Sequence, residues 1–154
     1  MPYNPQNAVA YAHRWAHGRN TRFYNFTGQG GDCTNFISQC LYAGCGVMDY
    51  RRDAGWYYRN LNDRAPAWTS VEHLFRYLTR TADTAGPRGT VVGLGEVSVG
   101  DVIQLSFDNS TFGHSLLIVE RSDSGIRVAT HTDDSDYRQL ETYSFAKLRA
   151  IRIK

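Results

Sequence analysis

The run from Gly30 to Gly44, GGDCTNFISQCLYAG, constrains the fold more than any other part of this chain. Small or apolar residues recur at Cys33, Phe36, Ile37, Cys40, Leu41 and Gly44, the i, i+3, i+4, i+7 spacing of one buried helical face. Asp32 suits the N-cap and Gly44 the C-terminal stop, so the spacing predicts a helix that opens at Cys33. Unsatisfied backbone N–H groups and the helix dipole favour an anion there, the placement that lowers a thiol pKa and makes a thiolate nucleophile. The bland alternative is a buried, inert cysteine. Gly30 and Gly31 argue against it, because glycines let another backbone approach the sulfur closely.

The segments around this helix set the fold class. A first helix is expected from about Pro5 to His17, with Asn4 as cap and Ala8, Tyr11, Ala12 and Trp15 as its apolar stripe. Another opens on the capping-box pattern Thr69-Ser70-Val71-Glu72, with Val71, Leu74, Phe75 and Leu78 as its stripe. After the turn-rich stretch at Gly86–Gly89 the pattern changes to strands, at Val102 to Phe107, His114 to Arg121, Ile126 to His131 and Leu148 to Ile153. Helices first and antiparallel strands afterwards predict an α+β fold in which N-terminal helices, the cysteine helix among them, pack on an antiparallel sheet. At 154 residues, with no linker, repeat or low-complexity tract, residues 1–154 read as one domain able to bury a core.

Composition excludes several function classes. No run approaches the ~18 apolar residues of a membrane helix. A net charge of +2 with scattered arginines gives no nucleic-acid footprint. Three cysteines give no disulfide framework, and Cys33 and Cys40 lie two helical turns apart. Cys40 reads as core. The N-terminus lacks a basic-then-apolar leader, so the chain is either not exported by that route or is cut from a longer precursor, with a cell-envelope or extracellular place in the second case. Trp56, Tyr57 and Trp68 read as core or, alternatively, as the lining of a substrate groove.

A cysteine nucleophile needs a base. His13 and His17, i and i+4 on the first helix, read as surface, and His73 as incidental. His114 and His131 are brought together by the predicted hairpin. Their midpoint falls between Ser122 and Asp123, inside the turn Ser122–Gly125, and directly opposed residues share a face about 4.5–5.5 Å apart. Asp133 would oppose His114 if the turn centre moved by one residue. Cys33, His114 and His131, with Asp133 as the alternative third member, make a triad arrangement. The second oxyanion donor beside the Cys33 N–H is expected from Gln29 or Tyr24.

These residues carry a resemblance. Ala8-Val9-Ala10-Tyr11-Ala12, Gly31-Asp32-Cys33-Thr34-Asn35-Phe36-Ile37-Ser38-Gln39, Trp68-Thr69, Gly100-Asp101-Val102-Ile103-Gln104, His114-Ser115 and His131-Thr132 occur in the order seen in the bacterial Putative amidase domain, a branch of the papain-like cysteine amidases and peptidases. Cys45 stands where that family usually has glycine. The resemblance implies a papain-like fold, Cys33 as nucleophile, His114 as base and His131 as third member, as in related cell-wall peptidases. It implies a cofactor-free hydrolase acting on peptide or amide bonds, with peptidoglycan as the substrate and no metal. The competing readings are a Cys33–His114–His131 metal site, a silent wall- or glycan-binding module with an unreactive Cys33, and a thioester-forming acyl transferase.

Overall fold

The computed structural model describes residues 2–154. Helix α1 spans Pro5–Trp15, opened by Asn4, whose side chain accepts a hydrogen bond from the Asn7 N–H at 3.1 Å, and by Pro5 in the first turn. Helix α2 spans Cys33–Cys45 and is the centre of the molecule: every residue but Tyr42 and Ala43 is buried. Gly44 does not end it. The chain continues to Cys45, and Gly46, left-handed at φ 74°, is the cap. Gly44 instead permits a close approach, since a Cβ there would lie 2.4 Å from the Tyr3 ring, and its carbonyl accepts from the Asn4 N–H at 2.8 Å.

A small hairpin, β1 (Tyr58–Asn60) with β2 (Asp63–Arg64), leads into two short helices, α3 (Pro66–Thr69) and α4 (Val71–Leu78). Ser70, not the expected Thr69, caps α4 by accepting from the His73 N–H, because Thr69 still belongs to α3; the capping box is therefore replaced by a simple serine cap. Six strands follow: β3 (Gly89–Val92), β4 (Val102–Ser106), β5 (His114–Ser122), β6 (Gly125–Thr130), β7 (Ser135–Gln139) and β8 (Lys147–Ile153). They form one antiparallel sheet in the order β3-β8-β4-β5-β6-β7. Val102, Leu117, Val119, Ala129 and Ile151 pack towards the helices. Ile103, Leu105, Leu116, Ile118 and Val128 form a second apolar layer with Val97 and Leu140 on the other face. The α+β arrangement of N-terminal helices on an antiparallel sheet is therefore present, with two short strand pairings (β3 and β7 at the sheet's edges) that the sequence pattern does not reveal.

The hairpin β5–β6 decides where the histidines go. Ser122 pairs with Gly125 and Glu120 with Arg127, so the turn is centred between Asp123 and Ser124, one residue beyond the expected midpoint. Val119 is then bulged, and past it Ile118 pairs with Val128 and Leu117 with Ala129. Continued to His114, this register gives Thr132 as the opposite position. His131 therefore belongs to the face of Leu117 and Ala129, against α2, while His114 shares the face of Leu116 and Ile118.

Three polar clamps tie these layers. Gly100, at φ 91° with Pro5 where a Cβ would sit, turns the chain into β4. The carboxylate of Asp101 then accepts from the Ser98 and Ile153 N–H groups. The Gln104 amide donates to Ser115 Oγ and the Val71 carbonyl, and Thr34 Oγ1 lies 3.0 Å from the same Ser115 hydroxyl. Gly100 and Asp101 thus tie the start of α1 and the end of β8 to the turn into β4, and Gln104 and Ser115 fix the start of α2 against β4 and β5.

Candidate active site

The first residue of α2 and the first residue of β5 meet at one open cavity of about 370 Å³, lined by Cys33 and His114 together with Gly31, Phe107, Asp133, Arg138 and Tyr143. Cys33 is 7 % exposed. Burial pushes its thiol above the ordinary range, opposed by the Ser115 N–H and by the hydroxyl and N–H of Thr34, while the Asp32 charge adds to the rise. The expectation of a thiol lowered by the helix start is overturned: the sulfur lies deeper than a helix position alone reveals, and desolvation outweighs the donors.

Asp32 occupies the N-cap position without capping its own helix. Its carboxylate turns back to accept from the Phe26 N–H at 2.8 Å and the Asn35 amide at 2.9 Å, and to pair with His131 Nδ1 at 2.5 Å. The first-turn N–H groups of α2, that of Cys33 among them, are therefore not consumed by Asp32 and suit an oxyanion. The expected second donors are engaged with each other, the Gln29 amide donating to Tyr24 Oη at 2.8 Å. The cavity wall instead includes Gly30 and Gly31, at φ 90° and 96°, a conformation that glycine adopts without strain.

His114 is 6 % exposed, with the Phe107 and Tyr143 rings at centroid distances of 6.2 and 5.9 Å. Burial first, and the Arg138 charge second, lower its pKa to about 4, with Asp133 acting in the opposite sense. The ring is thus a neutral base at pH 7. Asp133 comes to the cavity on a left-handed turn rather than along a strand, Thr132 and Asp133 having φ of 78° and 52°.

His131 lies elsewhere. Its Nδ1 faces Asp32, its Nε2 is 2.8 Å from the Trp15 carbonyl, and its ring stacks on Phe36 at 3.9 Å. Both ring nitrogens are engaged away from the cavity, so the placement of His131 beside His114 expected from the hairpin is corrected, by the bulge at Val119. The same correction removes the convergence of Cys33, His114 and His131 that a metal site would need. Asp133 is the expected third residue that does line the cavity with His114.

Three other expectations resolve simply. Trp56, Tyr57 and Trp68 are core, the two indoles donating to Ser38 Oγ and Asn35 Oδ1 rather than lining a groove. Cys40 is fully buried, and Cys45 is a free thiol donating to the Val47 carbonyl. His13 pairs with Asp136 and stacks on Tyr137. The residues sequence reasoning missed are Phe107, Arg138 and Tyr143. They stand on a loop or an edge strand, where no periodicity marks an inward-facing position.

Fold and cavity define an α+β domain with a cysteine at a helix start and a histidine at a strand start in a shared cleft. The chain belongs to the Putative amidase domain family, whose profile matches residues 2–153. It is 30% identical over 159 residues to the uncharacterized protein YhbB of Bacillus subtilis (strain 168), an alignment covering 93% of this chain and 49% of that protein. The chain thus spans about half the length of that curated relative. No solved structure matches it. No helix among the described residues is long and apolar enough to cross a membrane.

Proposed function

We infer that this domain hydrolyses amide bonds through Cys33 as nucleophile and His114 as general base, in a papain-like arrangement. The observation that carries the reading is that Cys33 and the buried, neutral His114 line one cavity in a chain of the amidase family. The imidazole takes the S–H proton as sulfur attacks the carbonyl carbon, so a resting ion pair is not required. The oxyanion that forms faces the Cys33 N–H at the uncapped start of α2. The imidazolium returns its proton to the nitrogen of the breaking C–N bond, leaving a thioester and a free amine. Water, deprotonated by His114, then releases the acid and restores the thiol.

Asp133 is the group that favours the imidazolium formed in each half of this cycle, since its charge raises the His114 pKa. His131 acts one step further back, through Asp32, as a positioning residue for the helix start. Peptide bonds of cell-wall peptidoglycan are the first substrate to try, supported by the resemblance of the cysteine and histidine motifs to cell-wall peptidases. The test is incubation with purified peptidoglycan and mass spectrometry of released fragments. Fragments bearing a new amine and a new carboxyl should accumulate with the native protein and not with Cys33→Ala. Fragments released equally by both proteins would overturn the assignment of Cys33.

A further inference from the structure

Arg138 stands in the wall of the same cavity and forms no ion pair among the described residues. It lies on β7, half-buried, with its guanidinium 3.8 Å over the Tyr143 ring. Its Nε donates to Thr142 Oγ1 at 2.8 Å and its Nη2 to the Thr142 carbonyl at 3.3 Å. These contacts fix the plane of the guanidinium on one edge. Among the described residues no carboxylate forms an ion pair with it, Asp133 included, although Asp133 lines the same cavity. Nη1 donates to no carboxylate or carbonyl among the described residues. The contrast with Arg19, another half-buried arginine near the start of α2, is direct: Arg19 closes a two-pronged pair with Asp134.

An arginine beside a general base works against the reaction in the empty site, because its charge opposes protonation of His114. A fixed, unpaired guanidinium there makes chemical sense if the substrate brings the anion. Planar N–H donors on a stacked arginine match a carboxylate in a charge-assisted, two-pronged pair. The Phe107 ring, which lines the same cavity and is 54 % exposed, offers only apolar surface. We propose that Arg138 is a specificity-determining residue that pairs with a carboxylate carried by the substrate next to the amide being cleaved. The substrate class is thereby an acidic or free-carboxyl peptide rather than a neutral one. Binding it also neutralises the charge that opposes His114, so the base is readied only when the correct substrate is bound.

The inference rests on Cys33 as the nucleophile, and thiol-directed reagents test the two separately. Cys33 alkylation is followed by peptide mass spectrometry with two charge-matched pairs, iodoacetate against iodoacetamide and 3-maleimidopropionate against N-ethylmaleimide, the second pair having the longer reach. Glutathione sets the intrinsic ratio for each pair. At least one anionic reagent should label Cys33 with saturation and about tenfold above that intrinsic ratio, the scale of one charged hydrogen-bonded pair. Arg138→Gln should bring the anionic-to-neutral rate ratio of each pair down to the glutathione value, whatever common change in rate the freed His114 brings to both members of the pair, and Arg138→Lys should retain part of the advantage. Glutarate should compete with the anionic reagents and glutaramide should not, a readout on the native protein that needs no variant. If neither anionic reagent is favoured in the native protein, or the advantage survives Arg138→Gln, the carboxylate site is overturned and Cys33 stands. If all four reagents leave Cys33 untouched in the folded protein, the nucleophile itself is overturned, and the carboxylate site with it.

Discussion

His131 Nδ1 lies 2.5 Å from Asp32 Oδ2, and this pair joins the end of β6 to the residue before Cys33. Both partners are 1 % exposed, and the ring is sealed between Phe36 and the Trp15 carbonyl at the end of α1. Arg19 Nε closes the cluster from outside, 3.5 Å from the same Asp32 oxygen. The start of α2 is thus held from three elements at once, on the side away from the cavity.

Removing His131 takes one hydrogen bond from a buried carboxylate that keeps the Phe26 N–H, the Asn35 amide and Arg19, a loss of about 1.5–3 kcal/mol for a bond to a charged group. His131→Ala should therefore lower the unfolding free energy by that order, with activity falling because the helix start is no longer fixed. His114→Gln should do the reverse, abolishing activity while shifting stability by less than about 1 kcal/mol. Urea unfolding and the hydrolysis assay on the same preparations check the split. Equal stability of the two variants would place His131 outside any supporting role.

The same pair gives stability a pH dependence. Burial opposes the Asp32 charge, yet the hydrogen bonds from His131, Asn35 and the Phe26 N–H prevail and hold its pKa below the usual carboxylate value. A depressed native pKa means stabilisation that is present above the unfolded carboxylate value of about 4 and lost as pH falls through the native one. Thermal unfolding from pH 7 downwards should show this acid loss, and Asp32→Asn should flatten it. An acid limb unchanged by Asp32→Asn would assign the loss to other carboxylates.

Activity should titrate differently from that of a thiolate–imidazolium enzyme. Burial and then Arg138 put His114 at about 4, and burial puts Cys33 above the ordinary thiol range. The acid limb of kcat/KM, which reports the free enzyme, should fall near pH 4, and alkylation of Cys33 should rise with pH through the alkaline range. Arg138→Gln should move the acid limb upward, because one of the two causes that depress His114 is gone. A thiol of the free protein ionised at pH 6 would contradict both expectations.

How much of this was legible in the sequence differs by element. The cysteine helix was, because Phe36, Ile37, Cys40 and Leu41 repeat at a helical period and nearly the whole helix is buried. The hairpin and its turn were, whereas Asp133 reaches the cavity of His114 by a left-handed turn and not by the alternative register, which the structure replaces with Thr132 opposite His114. What failed was the position of His131, because the bulge at Val119 lies in a continuous apolar strand, where nothing in Ile118-Val119-Glu120 marks an extra residue. Edge strand β7, Ser135-Asp136-Tyr137-Arg138-Gln139, has no apolar alternation, so the arginine it brings to the cavity was invisible. The depth of Cys33 was hidden for a related reason: a helix period shows which face is buried, not how far the first residue lies from water.

The turn at Gly100 gives the sharpest test of the scaffold apart from its chemistry. Gly100 is left-handed at φ 91°, and a Cβ added there would stand 2.4 Å from Pro5 Cβ and 2.9 Å from Pro5 Cα. Backbone strain and the clash act together, because the Tyr3 hydroxyl donates to the Gly100 carbonyl at 2.7 Å and holds the two segments face to face. Gly100→Ala should therefore lower the unfolding free energy by about 1–3 kcal/mol, through overpacking and the forced positive φ. The cost falls on the docking of α1 against the β4 turn, remote from Cys33, so kcat per folded molecule should stay within about twofold of the native value, as uncoupled distant sites behave. Urea unfolding with active-site titration of Cys33 separates the two quantities. Full stability in Gly100→Ala would mean that Pro5 yields, and that the start of α1 is not fixed against the sheet.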